Sequence, residues 1–468
     1  MVSSPPPGPF NIQKVAIIGA GPTGLAAAKY LLAEKCFPQI DIFEQQAEVG
    51  GVWNYTSIPS EKVSVPSNNP HVPPDPPIWP DDGKEGAPLF SNPMYEKLNT
   101  NIPKSIMRFS DLAFEEGSLL FPTRQDVQRY LVGYAEGVRG LIEFSTRVEG
   151  VRLVDRGRER WEVRTRGVGS GEVKVRVRVY DAVVCANGHY SIPYIPDVPG
   201  IEAFNKKYPD VITHSKIYRK PEGFKGKKVI VCGSGPSGQD IGTQIATVCR
   251  QPLLNSVTTP QSDGKKGKEE VPHIAEYLTD ERAVRFTNGR VEKNIDAVVY
   301  CTGYLYGYHF LESLSPPLVT TGRRVLGAYK HLFDIYHPTL AFTALMYKVI
   351  PFPVSEAQGA VVAKVWANRL ALPGVEEMER WEEERVKEVG EGRPFHVMGY
   401  PADVEYLNGL CEWVRSAGGN EGKEPPFWGD REVFIRKVYV KMKERFEEAG
   451  GTARTMEELG YVFEPEES

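Results

Sequence analysis

The chain has 468 residues, 41% hydrophobic and 25% charged, with a formal net charge of −5. That length exceeds one ordinary domain and suits two or three, and the composition is that of a soluble globular protein. The acidic balance excludes a broad basic surface of the kind that binds nucleic acid or acidic membrane, and no apolar run reaches the roughly 18 residues a membrane-spanning helix needs.

Residues 1–10 are rich in Pro and Ser and lack the basic-then-apolar order of a signal peptide. Lys14–Ile18 reads as a short buried strand, followed by a glycine turn, a helix over 22–34 and a second strand at Gln39–Phe43. Residues 54–93, rich in Pro, Ser and Asn, read as a long ordered excursion over the surface. A helix is predicted over 125–138. Residues 147–180 read as a meander whose last strand sets Val173, Val175, Val177 and Val179 on a buried face and Lys174, Arg176 and Arg178 on a solvated one. Ala182–Cys185 is a buried strand ending in Ala186-Asn187-Gly188, and Pro193, Pro196 and Pro199 mark a linker.

A second strand–turn–helix unit follows, with its strand at 228–231 and its helix at 236–248. Residues 261–270 read as a charged loop. A buried strand over 295–301 ends in Thr302-Gly303. Helices are predicted over 355–372, Val375–Val389, 403–414 and 431–448. The polar, acidic C-terminus offers no tail anchor. The expected fold is α/β, with two doubly wound Rossmann-like dinucleotide-binding domains, the second (196–299) inserted into the first (1–195 and 300–468).

Two motifs carry chemistry. In Gly19-Ala20-Gly21-Pro22-Thr23-Gly24 the glycines permit a tight turn, close approach of a pyrophosphate, and close packing of helix on strand. The helix N-terminus supplies N–H groups to the phosphates. Glu44, twenty residues past Gly24 at the end of the next strand with Gln45 beside it, suits a ribose. The second motif is Gly233-Ser234-Gly235-Pro236-Ser237-Gly238. Twenty residues beyond it stand Thr258 and Thr259, with no acid to repel a 2′-phosphate, which favours NADPH over NADH. Arg250, Lys265, Lys266 or Lys268 could supply the matching charge, or could simply be solvated. Two dinucleotide sites in one chain imply electron transfer between two cofactors. Glu44 is followed by Gly50-Gly51-Val52-Trp53, where the glycines let the chain pass close to a cofactor and Trp53 can pack along it or serve only the core. That pattern assigns FAD to the first site and NADPH to the second.

The six cysteines are scattered, with no C-x-x-C pair and no zinc spacing, and read as reduced buried thiols in a cytoplasmic protein. A disulfide reductase would need a redox pair, which the chain lacks.

From Lys14 to Trp428 the sequence resembles the flavin-containing monooxygenases, most closely their short fungal, thiol-oxidising branch. The resemblance rests on the two glycine motifs, Glu44 through Trp53, and the segments 100–107, 121–128, His214-Ser-Lys-Ile-Tyr218, Cys301-Thr-Gly-Tyr304 and 349–358. In the family's linker motif, His214 and Tyr218 match, whereas Tyr208 stands for Phe and Asp210 for Gly. The related Baeyer–Villiger enzymes end this motif in Trp, so Tyr218 favours heteroatom oxygenation.

The resemblance implies an NADPH- and O2-dependent monooxygenase acting through a flavin C4a-hydroperoxide on a thiol, sulfide or amine; Baeyer–Villiger oxygenation or N-hydroxylation in natural-product metabolism is the alternative. It implies that Asn101 faces the flavin and the nicotinamide, that His214 organises NADPH binding, and that Gln358 borders the FAD, though an ordinary polar helix residue fits that last position equally. The expected partners are a small-molecule substrate and O2, and a homodimer is compatible with base rates.

Overall fold

The computed structural model describes residues 8–58, 62–80, 87–155, 157–169, 174–260, 267–419 and 421–465. The first sheet is seeded by three short strands of almost wholly buried residues, β1 (Lys14–Ile18), β2 (Gln39–Phe43) and, much later in the chain, Ala182–Cys185. Buried runs of this kind suit a parallel sheet covered on both faces. Helix α1 (Pro22–Ala33) connects β1 to β2, and α2 (Arg124–Tyr134) opens on Thr123 and Asp126, which form a reciprocal capping box. With Ala182–Cys185 labelled β3, the order at the centre is β3-β1-β2, all parallel.

The second sheet lies wholly between Ile212 and Tyr300. It comprises β4 (Ile212–His214), β5 (Val229–Cys232), β6 (Leu253–Ser256), β7 (Lys268–Val271) and β8 (Ala297–Tyr300), with α3 (Pro236–Ala246) joining β5 to β6. All of its pairings are parallel, in the order β7-β6-β5-β8-β4. The chain then returns to the first sheet, where β9 (Leu340–Phe342) lies parallel to β3. The main core correspondingly joins residues before Ala186 to residues after Tyr306, while separate clusters fill the second sheet's two faces.

Four helices complete the chain, α4 (Pro351–Trp366), α5 (Val375–Val389), α6 (Ala402–Ser416) and α7 (Asp430–Glu448). Helix α4 is buried from Phe352 to Trp366, its polar Ser355, Glu356, Gln358 and Lys364 included. It lies against α1 so closely that a β-carbon on Gly359 would stand 3.3 Å from Ala27 Cα.

Two expectations need correction. Lys268–Glu270, expected within a loop, belong to an edge strand, β7, paired with β6. The meander is present as three antiparallel strands, Thr146–Asp155, Arg160–Gly167 and Val175–Tyr180, but Val175 and Val177 are exposed. Val175, Val177 and Val179 stand opposite Arg166, Arg164 and Glu162 on the open face, whereas Arg178 and Tyr180 stand opposite buried Val163 and Trp161, so alternation found the period but chose the wrong face. Val173 lies outside the described residues.

Candidate active site

The two glycine turns are built alike. Each first glycine has a positive φ, +105° at Gly19 and +125° at Gly233, conformations that favour glycine. Beneath each lies the carbonyl of a strand-end residue. A β-carbon on Gly19 would meet Ala186 O at 2.6 Å, and one on Gly233 would meet Cys301 O at 2.7 Å. Each third glycine packs on the first, so that a β-carbon on Gly24 or Gly238 would lie 2.0 or 2.2 Å from the preceding turn's oxygen. The same backbone bonds recur, Gly19 N–H to Phe43 O and Gly233 N–H to Ser256 O.

Neither α1 nor α3 has a side-chain cap at its N-terminus. The open N–H groups and positive helix end therefore remain for an anionic ligand. Gly21 faces Gly51 across a narrow gap, where a β-carbon would stand 3.6 Å from Gly51 Cα, whereas Gly235 opens on free space.

Around the first turn, Glu44 is buried, its two carboxylate oxygens accepting the N–H groups of Ala20 (2.8 Å) and Gln46 (2.9 Å). Burial raises its pKa against those hydrogen bonds; the remaining lone pairs suit hydroxyl donors. Gln45 accepts from Arg147 Nε. Gly51, Val52 and Trp53 form a single 3-10 turn, half-buried against the core. Gln128, on α2, donates to Val49 O and Asn54 Oδ1 and so clamps that turn; sequence reasoning noted its segment but not this function. Asn101 is exposed at a tight bend that is held by Thr100 N–H to Pro122 O and Lys104 N–H to Leu120 O.

Ser234, Gly235 and Ser237 are exposed on the second turn. Thr258 and Thr259 are exposed just beyond the C-terminal end of β6, the end at which Gly233 sits. Arg250 precedes β6 and so lies at the opposite end of the sheet, away from that turn. Lys268 begins β7 and donates to Gln239 O and Thr243 Oγ1 on α3. Neither is placed as the 2′-phosphate ligand considered from sequence. Lys265 and Lys266 fall outside the described residues.

His214 and Tyr218 are buried between the units. His214 Nε2 donates to Gly303 O at 3.0 Å and its Nδ1 accepts the N–H of Lys216 at 3.1 Å. Burial depresses its pKa to about 3. Tyr218 donates to Gln244 Oε1 on α3 at 3.0 Å. Both side chains tie the connection between the sheets together through these bonds.

Gln358 lies in α4. It is fully buried; its Oε1 accepts Ala344 N–H at 2.7 Å, and its Nε2 donates to Tyr406 Oη at 2.9 Å. A buried amide must satisfy its polar atoms internally, and Gln358 does so by holding the loop after β9 to Tyr406.

The two strand-end turns converge. His189, just past Ala186-Asn187-Gly188, lies 4.6 Å from the ring of Tyr347 and 4.4 Å from that of Tyr190. Arg393 lies 5.0 Å from the Tyr347 centroid and donates to Thr302 O at 3.2 Å. Asn187 Oδ1, His189 Nε2 and Thr343 Oγ1 have no hydrogen-bond partner among the described residues. The glycine cradles, uncapped helix ends and unpartnered polar atoms fit two bound dinucleotides. All six cysteines are buried and unpaired.

Fold and site together define a two-nucleotide oxidoreductase. The family model described as flavin-binding monooxygenase-like matches residues 81–261 and 267–414, and one for NAD(P)-binding Rossmann-like domains matches 17–80. The chain is 31% identical to the thiol-specific monooxygenase of Saccharomyces cerevisiae, over 92% of this chain and 93% of that one. It is 32% identical to flavin-containing monooxygenase FMO GS-OX-like 9 of Arabidopsis thaliana, over 86% of each. The structure resembles S-allyl-L-cysteine S-oxygenase from Allium sativum with a TM-score of 0.76 and 26% identity, over 96% of this chain and 97% of the other. The chain belongs to the flavin-binding monooxygenase-like family, and it is an oxidoreductase that uses FAD and NADPH. Among the described residues no helix is long and apolar enough to cross a membrane.

Proposed function

We propose that this enzyme transfers one oxygen atom of O2 to a soft sulfur or nitrogen nucleophile, with FAD on the Gly19–Gly24 turn and NADPH on the Gly233–Gly238 turn. The proposed FAD domain comprises residues 1–195 and 300–468, and the NADPH domain 196–299. The observation that carries this reading is the convergence of the two strand-end turns on one aromatic cluster, which brings the exits of both nucleotide turns to a common junction. The resemblance to a thiol-specific monooxygenase and an S-oxygenase supports sulfur as the acceptor.

FAD, when bound, supplies the hydride acceptance and oxygen activation that side chains cannot. The protein's own residues do the remainder. Glu44 and the Gly19 turn hold a dinucleotide, the Gly51–Trp53 turn is fixed by Gln128, and Asn101 offers an amide donor and acceptor. The buried aromatic rings at the junction limit water. In the overall reaction one oxygen joins the substrate heteroatom and the other leaves as water. NADPH and the substrate each give two electrons, and NADPH leaves as NADP+. No thiol of the protein is needed; burial pushes those of Cys185, Cys232 and Cys301 up, away from the reactive thiolate.

The test is NADPH oxidation by the purified FAD-loaded enzyme under 18O2 with a thiol, a thioether and a tertiary amine. One labelled oxygen per product, with one NADPH consumed, supports the reading. NADPH consumption that yields only H2O2 with every acceptor overturns it.

A further inference from the structure

Arg393 sits on the Thr302-Gly303 turn, and Arg323 sits on Tyr194, which is bonded to that turn. Arg393 donates to Thr302 O and lies over Tyr347. Arg323 lies over the ring of Tyr194, 4.4 Å from its centroid. Tyr194 is itself tied to the turn through its N–H to Gly303 O and through Thr302 Oγ1, which donates to Tyr194 O. Both guanidinium groups act on the Tyr347 phenol, opposing the rise that burial imposes on its pKa. The backbones are close as well, since a β-carbon on Gly392 would stand 3.5 Å from Arg323 Cβ.

Among the described residues no carboxylate pairs with either arginine, although arginine is abundantly paired elsewhere in this chain. Glu391, the acid nearest Arg393 in sequence, is already committed, since it and Glu382 both bind Arg324. Two half-buried guanidinium groups, stacked on tyrosines and lacking an acid, form an incomplete charge arrangement. A carboxylate supplied from outside completes it with charge-assisted, bidentate geometry. The phosphates of the two dinucleotides have their own donors at the uncapped ends of α1 and α3, which leaves this pair for a third anion.

We infer that Arg393 and Arg323 bind the carboxylate of the substrate, so that the enzyme prefers carboxylate-bearing thiols or thioethers over neutral ones. This rests on the sulfur-oxygenation reading above and adds the recognition element to it.

The experiment compares 3-mercaptopropanoate with its methyl ester in the FAD-loaded enzyme and in Arg393→Met, Arg393→Lys and Arg323→Met. Wild type is expected to favour the acid in kcat/KM. Arg393→Met is expected to lower the acid-to-ester ratio at least tenfold, mainly through the KM of the acid, with Arg393→Lys recovering part of it. The KM for NADPH should move less than twofold. Equal losses for acid and ester, or a rise in the KM for NADPH with the ratio unchanged, would overturn the inference and make these arginines structural or nucleotide-binding. A wild type that oxygenates both thiols without preference defeats the inference alone. A wild type that oxygenates neither defeats it together with the sulfur reading.

Discussion

His214 donates from Nε2 to the carbonyl oxygen of Gly303 while its Nδ1 accepts the N–H of Lys216. With one nitrogen an acceptor and the other a donor, the ring is neutral and its tautomer is set. The bond joins β4 to the turn after β8 and, through the Tyr194–Gly303 pair, to the linker that leaves the first sheet.

That neutrality has a pH signature. Burial holds the folded pKa of His214 at about 3, against roughly 6.5 in an unfolded chain. Between those values the unfolded state carries the extra proton, so this residue makes stability fall as pH drops from 6.5 towards 3. Asp334, raised to about 6 by burial, contributes the opposite sign, its stabilisation being lost as pH rises through that value. Comparing variants isolates the histidine. His214→Gln should flatten the acid-side slope by up to one proton, about 1.4 kcal/mol per pH unit. Urea midpoints at pH 5 and pH 7 measure this, and identical slopes in the two proteins would refute a neutral His214.

The glycine turns yield a paired prediction. A valine side chain at Gly235 meets no protein atom within 4 Å at its β-carbon, and φ there is −70°. Gly235→Val should therefore fold and retain FAD yet lose NADPH-driven flavin reduction by a hundredfold or more, on the order of 3 kcal/mol. Gly238→Ala, by contrast, drives a methyl into Gly233 O and should lower the melting temperature. Loss of FAD from Gly235→Val would reverse the assignment of the two sites.

Asn101 sits exposed on a bend fixed by backbone hydrogen bonds on both sides, so truncating it should cost little stability. Asn101→Ala is expected to keep its FAD and its NADPH oxidation while most of the electrons go to H2O2. Simultaneous assay of product and peroxide checks this; an undiminished product yield would remove Asn101 from the site.

Glu356 is wholly buried in α4, where it accepts from Ser110 N–H and Oγ and pairs with Lys423 at 3.1 Å. Glu356→Ala strands these donors and should destabilise the fold by about 3–5 kcal/mol, read as a shift in the urea midpoint. Little change would mean that water readily replaces the carboxylate.

Local chemistry made much of this protein legible from sequence. The strands Lys14–Ile18, Gln39–Phe43 and Ala182–Cys185 occur where their apolar runs stand, and α1 and α3 start at the prolines that follow their glycine pairs. These features depend on neighbouring residues alone: apolar runs make buried strands, and a glycine turn before a proline opens a helix. What lay beyond reach depended on what stacks on what. The valines of Val175–Tyr180 alternate as read, but the layer that covers this sheet packs on its other face. Gln358 was readable as polar, yet only the arrival of Ala344 and Tyr406 around it shows an amide consumed by the protein. Arg250 and Lys268 carry suitable charge at unsuitable places, because parallel strands put residues close in sequence at opposite ends of the sheet. Arg323 and Arg393 are seventy residues apart and are brought together only by how the chain beyond the second sheet folds on itself, which sets Gly392 against Arg323. Sequence alone thus determined the two nucleotide turns, since their glycine conformations are local. The tertiary structure decided which charges and amides remain available to a ligand, since that depends on every partner the fold brings near.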